Sequence, residues 1–158
     1  LAVALAGCSI IPGMGDGGTN EAHVGDTVST SWFDYTIISA EPAESYEGYT
    51  AAEGNKLVVV DLTMKNTFNE SVPMYDTDFQ LYWGEYSDDE MAFPLEPYCE
   101  AQLPMEYYLS IEEVREGILV YEVPSDVRDF TFAFLEIFDN GTDEGEEGDL
   151  FVTYFTAA

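Results

Sequence analysis

Val58, Val60, Leu62 and Met64 stand at every second position of residues 57–66, with Asp61, Thr63 and Lys65 between them. Successive side chains of an extended strand point to opposite faces, so this spacing predicts a strand with one apolar and one polar face. The pattern recurs along the chain. Phe33, Tyr35 and Ile37 alternate with Asp34 and Thr36, and Phe79, Leu81 and Trp83 alternate with Asp78, Gln80 and Tyr82. Residues 117–124 form a further apolar run, stopped by Pro124. Phe130, Phe132 and Phe134 mark one face of the next strand while Leu135 and Ile137 mark the other, which fits a central strand with a bulge. Residues 150–155 close the series, with short strands expected at 91–93 and 105–109.

Turn signals separate these runs. Pro42 and Gly48 mark one loop, residues 66–73 a second and the acidic segment 84–90 a third. Pro94, Pro97 and Pro104 exclude a long helix or a central strand from 94–104, and the polar residues 110–116 read as a loop or a single helical turn. No segment sustains a 3.6-residue period and none repeats. Seven to eight short strands with this punctuation predict an all-β fold, an antiparallel β-sandwich.

The chain has 158 residues, 46% of them hydrophobic, enough for one domain with a packed core. Its charge is far from balance: 32 acidic residues face only Lys56, Lys65, Arg115 and Arg128, a net charge of -28. Such a field repels phosphates, which excludes nucleic acid and anionic lipid headgroups as docking partners. The plainest use of the charge is solubility or adaptation to salt. The sharper readings are divalent cations or a basic partner.

The first residues suggest a location. The apolar run 1–8 ends Leu5-Ala6-Gly7-Cys8, which closely resembles the lipobox of bacterial lipoproteins, where the Cys thiol takes a diacylglyceryl group before the preceding peptide bond is cut. Residues 9–24 hold Gly13, Gly15, Gly17 and Gly18 and few apolar side chains, the composition of a flexible tether. The expected organisation is a signal-peptide remnant at 1–8, a tether at 9–24 and a domain at 25–158. Lipidation at Cys8 would hold the protein on the extracellular face of the cell membrane. Cys99 is then left without a disulfide partner and reads as a small buried hydrophobe.

A family resemblance rests on the string from Gly54 through Leu57, Val58, Val60 and Thr63 to Lys65-Asn66, on the aromatic strand at Phe79-Gln80-Leu81, and on Gly117 followed by a strand ending Val123-Pro124. These landmarks resemble those of a family of small bacterial extracellular lipoprotein domains of unknown function. The resemblance implies an immunoglobulin-like sandwich over roughly residues 25–155, similar to the secreted mycobacterial immunoprotective antigen. Its landmarks are structural rather than catalytic. Where the family carries a Pro-Gly turn before the second landmark, this chain has Glu112-Glu113-Val114-Arg115-Glu116.

No catalytic set stands out. The one His, His23, falls in the expected tether and cannot there support a nucleophile. One His and one free Cys do not fill a zinc shell, and no phosphate-cradling glycine motif precedes a helix. A carboxylate pair for glycoside hydrolysis would need a cleft that a small sandwich rarely has. Calcium is the remaining candidate, because residues 139–149 crowd carboxylates onto a bendable loop. Asp139, Asp143, Glu144 and Asp149 are the candidate ligands, although the spacing departs from the EF-hand pattern and a solvated hairpin tip is the favoured explanation.

The expected function is therefore that of a surface-tethered, non-enzymatic interaction module, binding an extracellular protein or polysaccharide without a cofactor. Tyr46, Tyr49, Tyr107 and Tyr108 are candidate contact residues. The alternatives are an inhibitor that inserts 94–104 into a protease cleft, an accessory subunit of an envelope complex, or a calcium-binding surface domain.

Overall fold

The computed structural model describes residues 18–143 and 145–158. Its strands are β1 (Thr19–His23), β2 (Thr27–Ser29), β3 (Phe33–Ala43), the short arms β4 (Ser45–Tyr46) and β5 (Tyr49–Thr50), β6 (Asn55–Asn66), β7 (Val72–Tyr75) and β8 (Phe79–Tyr82). Then follow β9 (Met91–Ala92), β10 (Glu106–Leu109), β11 (Val114–Pro124), β12 (Asp129–Phe138) and β13 (Glu146–Thr156). A five-stranded sheet in the order β1-β13-β12-β8-β9 faces a four-stranded sheet in the order β11-β6-β3-β2. The fold is a β-sandwich, as the alternation predicts.

The faces are those read from the sequence. Val58, Val60, Leu62 and Met64 of β6 are buried against Phe33, Tyr35 and Ile37 of β3 and Phe130, Phe132 and Phe134 of β12. The aromatic rings interlock: Phe79 stacks on Phe132 at 5.4 Å, and Phe33 meets Phe134 edge-on at 5.1 Å. Aromatic pairs of this geometry add about 0.5–1.5 kcal/mol each beyond their burial. β12 is central, between β13 and β8, and its register against β13 shifts between Leu135 and Ile137. Its outer face is covered too. The acidic loop 84–90 folds back and drives Tyr86 against Tyr82, Ala133, Leu150 and Val152 in a second apolar cluster. Glu90 ties that loop by accepting from the Glu85 N–H and the Ser87 hydroxyl, each at 2.9 Å.

Three stretches differ from the sequence reading. Residues 19–23, assigned by composition to the tether, form β1, paired in parallel with β13 from Thr19–Leu150 to His23–Tyr154. Only Ala22 of this strand is buried, so no apolar pattern announces it; main-chain pairing and the Asp149 carboxylate, which accepts from Gly18 N and Asn20 Nδ2, hold it in place. Cys8 and residues 9–17 lie outside the described residues. Residues 94–104 are not a free inserting loop. They run along the edge of β11, where Leu95 N donates to Val120 O, Leu103 N to Ile118 O and Ile118 N to Ala101 O. A Cβ on Gly117 would meet the Leu103 side chain at 2.4 Å, which explains the glycine at that landmark. The segment blunts an exposed edge. Finally, the loop expected at 110–116 ends early, because Glu113 N donates to Ser110 O and β11 already begins at Val114.

Candidate functional site

β7 and β8 are joined by a tight 3-10 turn at Asp76–Asp78, and there the sheet divides. β7 turns away to pair with β10, from Val72–Leu109 to Tyr75–Glu106. β8 pairs with β12 only as far as Phe79–Phe134, whereas β12 runs on to Phe138 with β13 alone beside it. The gap between the diverging strands is a groove of about 450 Å³. Phe33 and Phe134 of the core line it, and Trp32, Phe68, Tyr75 and Phe138 line its more open parts.

Each wall residue is placed by a local device. The Thr30 hydroxyl accepts from Trp32 N at 3.2 Å and Phe33 N at 3.1 Å while donating to Phe33 O, which closes the turn before β3. The neighbouring Ser31 N donates to the buried Glu136 carboxylate at 2.6 Å, fixing this turn to β12. Trp32 then packs on Phe138 with ring centroids 5.0 Å apart. Phe68 is held through Asn66, a fully buried amide. Its Oδ1 accepts from Phe68 N at 2.7 Å, and its Nδ2 donates to the carbonyls of Glu70 and Leu109, both at 2.8 Å. Each of these bonds satisfies a group that burial would otherwise penalise.

Asp78 is a half-buried carboxylate of the groove lining. Its Oδ2 accepts from Tyr75 N at 3.0 Å. Burial pushes its carboxyl up to about 6, with the Asp76 charge adding to the rise and the Tyr75 N–H opposing it. Glu70 and Asp139 are exposed members of the same lining, and no Lys or Arg is among the described residues of it. The cations act elsewhere: buried Lys56 donates to the carbonyls of Val127 and Ala157, and Arg115 bonds Glu113 and covers the Tyr107 ring.

The residues singled out from sequence are distributed differently. Of the four candidate tyrosines, Tyr108 alone is widely exposed, at 68%. Tyr49 stacks on Tyr98 at 5.3 Å and donates to Glu122, so it pins the strap of residues 94–104. Tyr107 donates to Met64 Sδ. His23 projects from β1 rather than from a loose tether, its ring 6.3 Å from that of Tyr154. Cys99 is half-buried, and its N–H donates to Gln102 Oε1. Of the proposed calcium ligands, Asp139 Oδ1 accepts from Gly141 N within its own turn, and Asp149 is engaged with Gly18 and Asn20. Among the described residues no group of three His, Cys, Asp or Glu side chains is placed to hold a metal, and Glu144 lies outside them.

Sequence reasoning missed the groove. Its one sequence signal is a large aromatic inside each of two polar turns, Trp32 after Ser31 and Phe68 between Thr67 and Asn69.

The profile of the family described as a domain of unknown function, DUF4352, matches residues 22–143, a span that contains every residue of the groove. The chain belongs to the DUF4352 family. Solved structures place this DUF4352 domain among β-sandwich proteins. It is similar to ycdA of Bacillus subtilis, described as a candidate lipoprotein, with a TM-score of 0.59 at 15% identity, over 80% of this chain and 37% of that one. The chain thus spans little more than a third of that relative. An uncharacterized β-sandwich protein of Clostridium difficile aligns with a TM-score of 0.54 at 13% identity, over 89% and 96% of the two chains. The secreted protein MPT63 of Mycobacterium tuberculosis aligns with a TM-score of 0.57 at 11% identity, over 83% and 95%. At these identities the likeness is one of fold. A comparison with curated proteins finds no match.

Proposed function

We propose that this DUF4352 domain is a non-enzymatic binding module, held outside a bacterial cell by a lipid on Cys8, and that it receives its ligand in the groove between β7 and β12. The observation that carries the reading is the groove itself: a cleft of about 450 Å³ with aromatic walls and a half-buried carboxylate, on a β-sandwich. Ligand sites are commonly concave and apolar with a few placed polar groups. The tether reading draws support from the Leu5-Ala6-Gly7-Cys8 string and from similarity in fold to a candidate lipoprotein and a secreted protein.

Binding is tested by screening the protein against secreted proteins and cell-envelope polysaccharides, alongside a Phe68→Ser/Phe138→Ser variant. The expected result is a ligand whose affinity falls at least tenfold in the variant; uniformly negative binding, or binding indifferent to the two substitutions, contradicts the site. The tether is tested separately. Wild-type protein made in a bacterial host should carry the mass of a lipid and partition with membranes, and Cys8→Ser should do neither.

A further inference from the structure

We infer that the groove takes an extended peptide segment of a partner protein, in which a Lys or Arg stands two positions from a large apolar side chain. This rests on the reading of the domain as a binding module and names its ligand.

Strand geometry selects an extended peptide. The groove is bounded on one side by β7, which among the described residues pairs only with β10, and on the other by the last residues of β12, where the ladder to β8 has already ended at Phe134. Among the described residues two strands therefore present an unpaired edge to the same gap, and such an edge recruits an extended chain through main-chain hydrogen bonds. Side chains of such a ligand would alternate between the groove and solvent. Those pointing inward meet Trp32, Phe68, Tyr75 and Phe138, which calls for large apolar groups.

Charge selects the remaining residue. Half-buried Asp78 and exposed Glu70 and Asp139 all belong to the groove lining, and no Lys or Arg is among its described residues. A cation brought into a partly dehydrated site beside Asp78 gains an interaction much stronger than it would have in water. The same field rejects the rival occupants. A second copy of this chain carries -28 of its own, and an anionic membrane surface is repelled likewise. General attraction of a basic peptide to an acidic protein is the competing explanation, so the test must separate the groove from the rest of the surface.

The experiment is calorimetric titration of the full chain with an end-blocked peptide of about ten residues, alternating lysine and valine around a central phenylalanine, and with its glutamate counterpart. The lysine peptide should bind and the glutamate peptide should not. Asp78→Asn and Phe68→Ser should each weaken binding roughly tenfold, whereas Asp88→Asn/Asp89→Asn, which removes two exposed charges at the other end of β8, should leave it within about twofold. Equal weakening by the remote pair would reduce the interaction to bulk charge and overturn the inference. Binding of the glutamate peptide through Phe68 would also overturn it while leaving the binding-module reading intact. Failure of both peptides, with no ligand found in the wider screen, would remove both.

Discussion

At the scale of single residues, two positions hold unfavourable arrangements that the surrounding fold maintains. Burial raises the Asp78 carboxyl from its ordinary value of 3.8 to about 6 in the folded protein. Between those values the folded state holds more protons, so ionising Asp78 lowers stability as pH rises from about 4 to about 6. Asp78→Asn retains an acceptor for the Tyr75 N–H and removes the charge. Urea unfolding should find the variant about 1–2 kcal/mol more stable than wild type at pH 7 and no more stable near pH 4. The second position is Glu112, whose φ of 62° is uncommon for a residue with a side chain. It sits third in the turn closed by Glu113 N to Ser110 O, where a type II turn favours glycine, with proline favoured one residue earlier. The Pro-Gly expected from the family resemblance thus fits Ile111 and Glu112. Ile111→Pro/Glu112→Gly should raise stability by about 1 kcal/mol in the same assay, and a loss of stability would contradict this account of the turn.

At the scale of elements, legibility in the sequence followed the source of each strand's stability. β6 and β12 were readable because burial dictates their side chains: every inward position of Val58–Met64 and Phe130–Phe134 is apolar. β1 was not readable, since its polar residues are held by pairing with a strand about 130 positions away, and a local pattern carries no trace of that. The strap 94–104 read as a projecting loop because its prolines exclude a central strand, yet they are compatible with lying along an edge. The groove was hidden for a related reason. Its walls come from positions 32, 68, 75 and 138, and Asp78 read as part of a strand's polar face; only the divergence of β7 from β8 gathers them. Lys56 is a further case, a charge within an apolar run whose ammonium bonds the carbonyls of Val127 and Ala157 beside the Phe130 ring. Lys56→Met should leave both carbonyls without this donor, destabilise the domain by about 2 kcal/mol and speed amide exchange at residues 154–157.

At the scale of the whole molecule, the net charge of -28 sets the physical character of the surface. With Lys56 and Arg115 engaged in internal contacts, little positive charge remains to offset the acidic groups. Self-repulsion of this kind weakens the compact state and is screened by salt. The melting temperature should therefore rise between about 10 mM and 0.5 M sodium chloride, where a balanced protein would change little. Binding of a basic ligand should weaken over the same range, so salt separates the charge contribution from the apolar contacts of the groove.

The central claim is that the split between β7 and β12 is the place where this sandwich binds. Amide chemical-shift mapping of the isotopically labelled chain during titration with the lysine–valine peptide tests it most directly. The account predicts that the largest shifts fall on Trp32, Phe68, β7, Asp78 and the last residues of β12. Shifts spread evenly over the acidic surface, or centred on the loop 84–90, would contradict it.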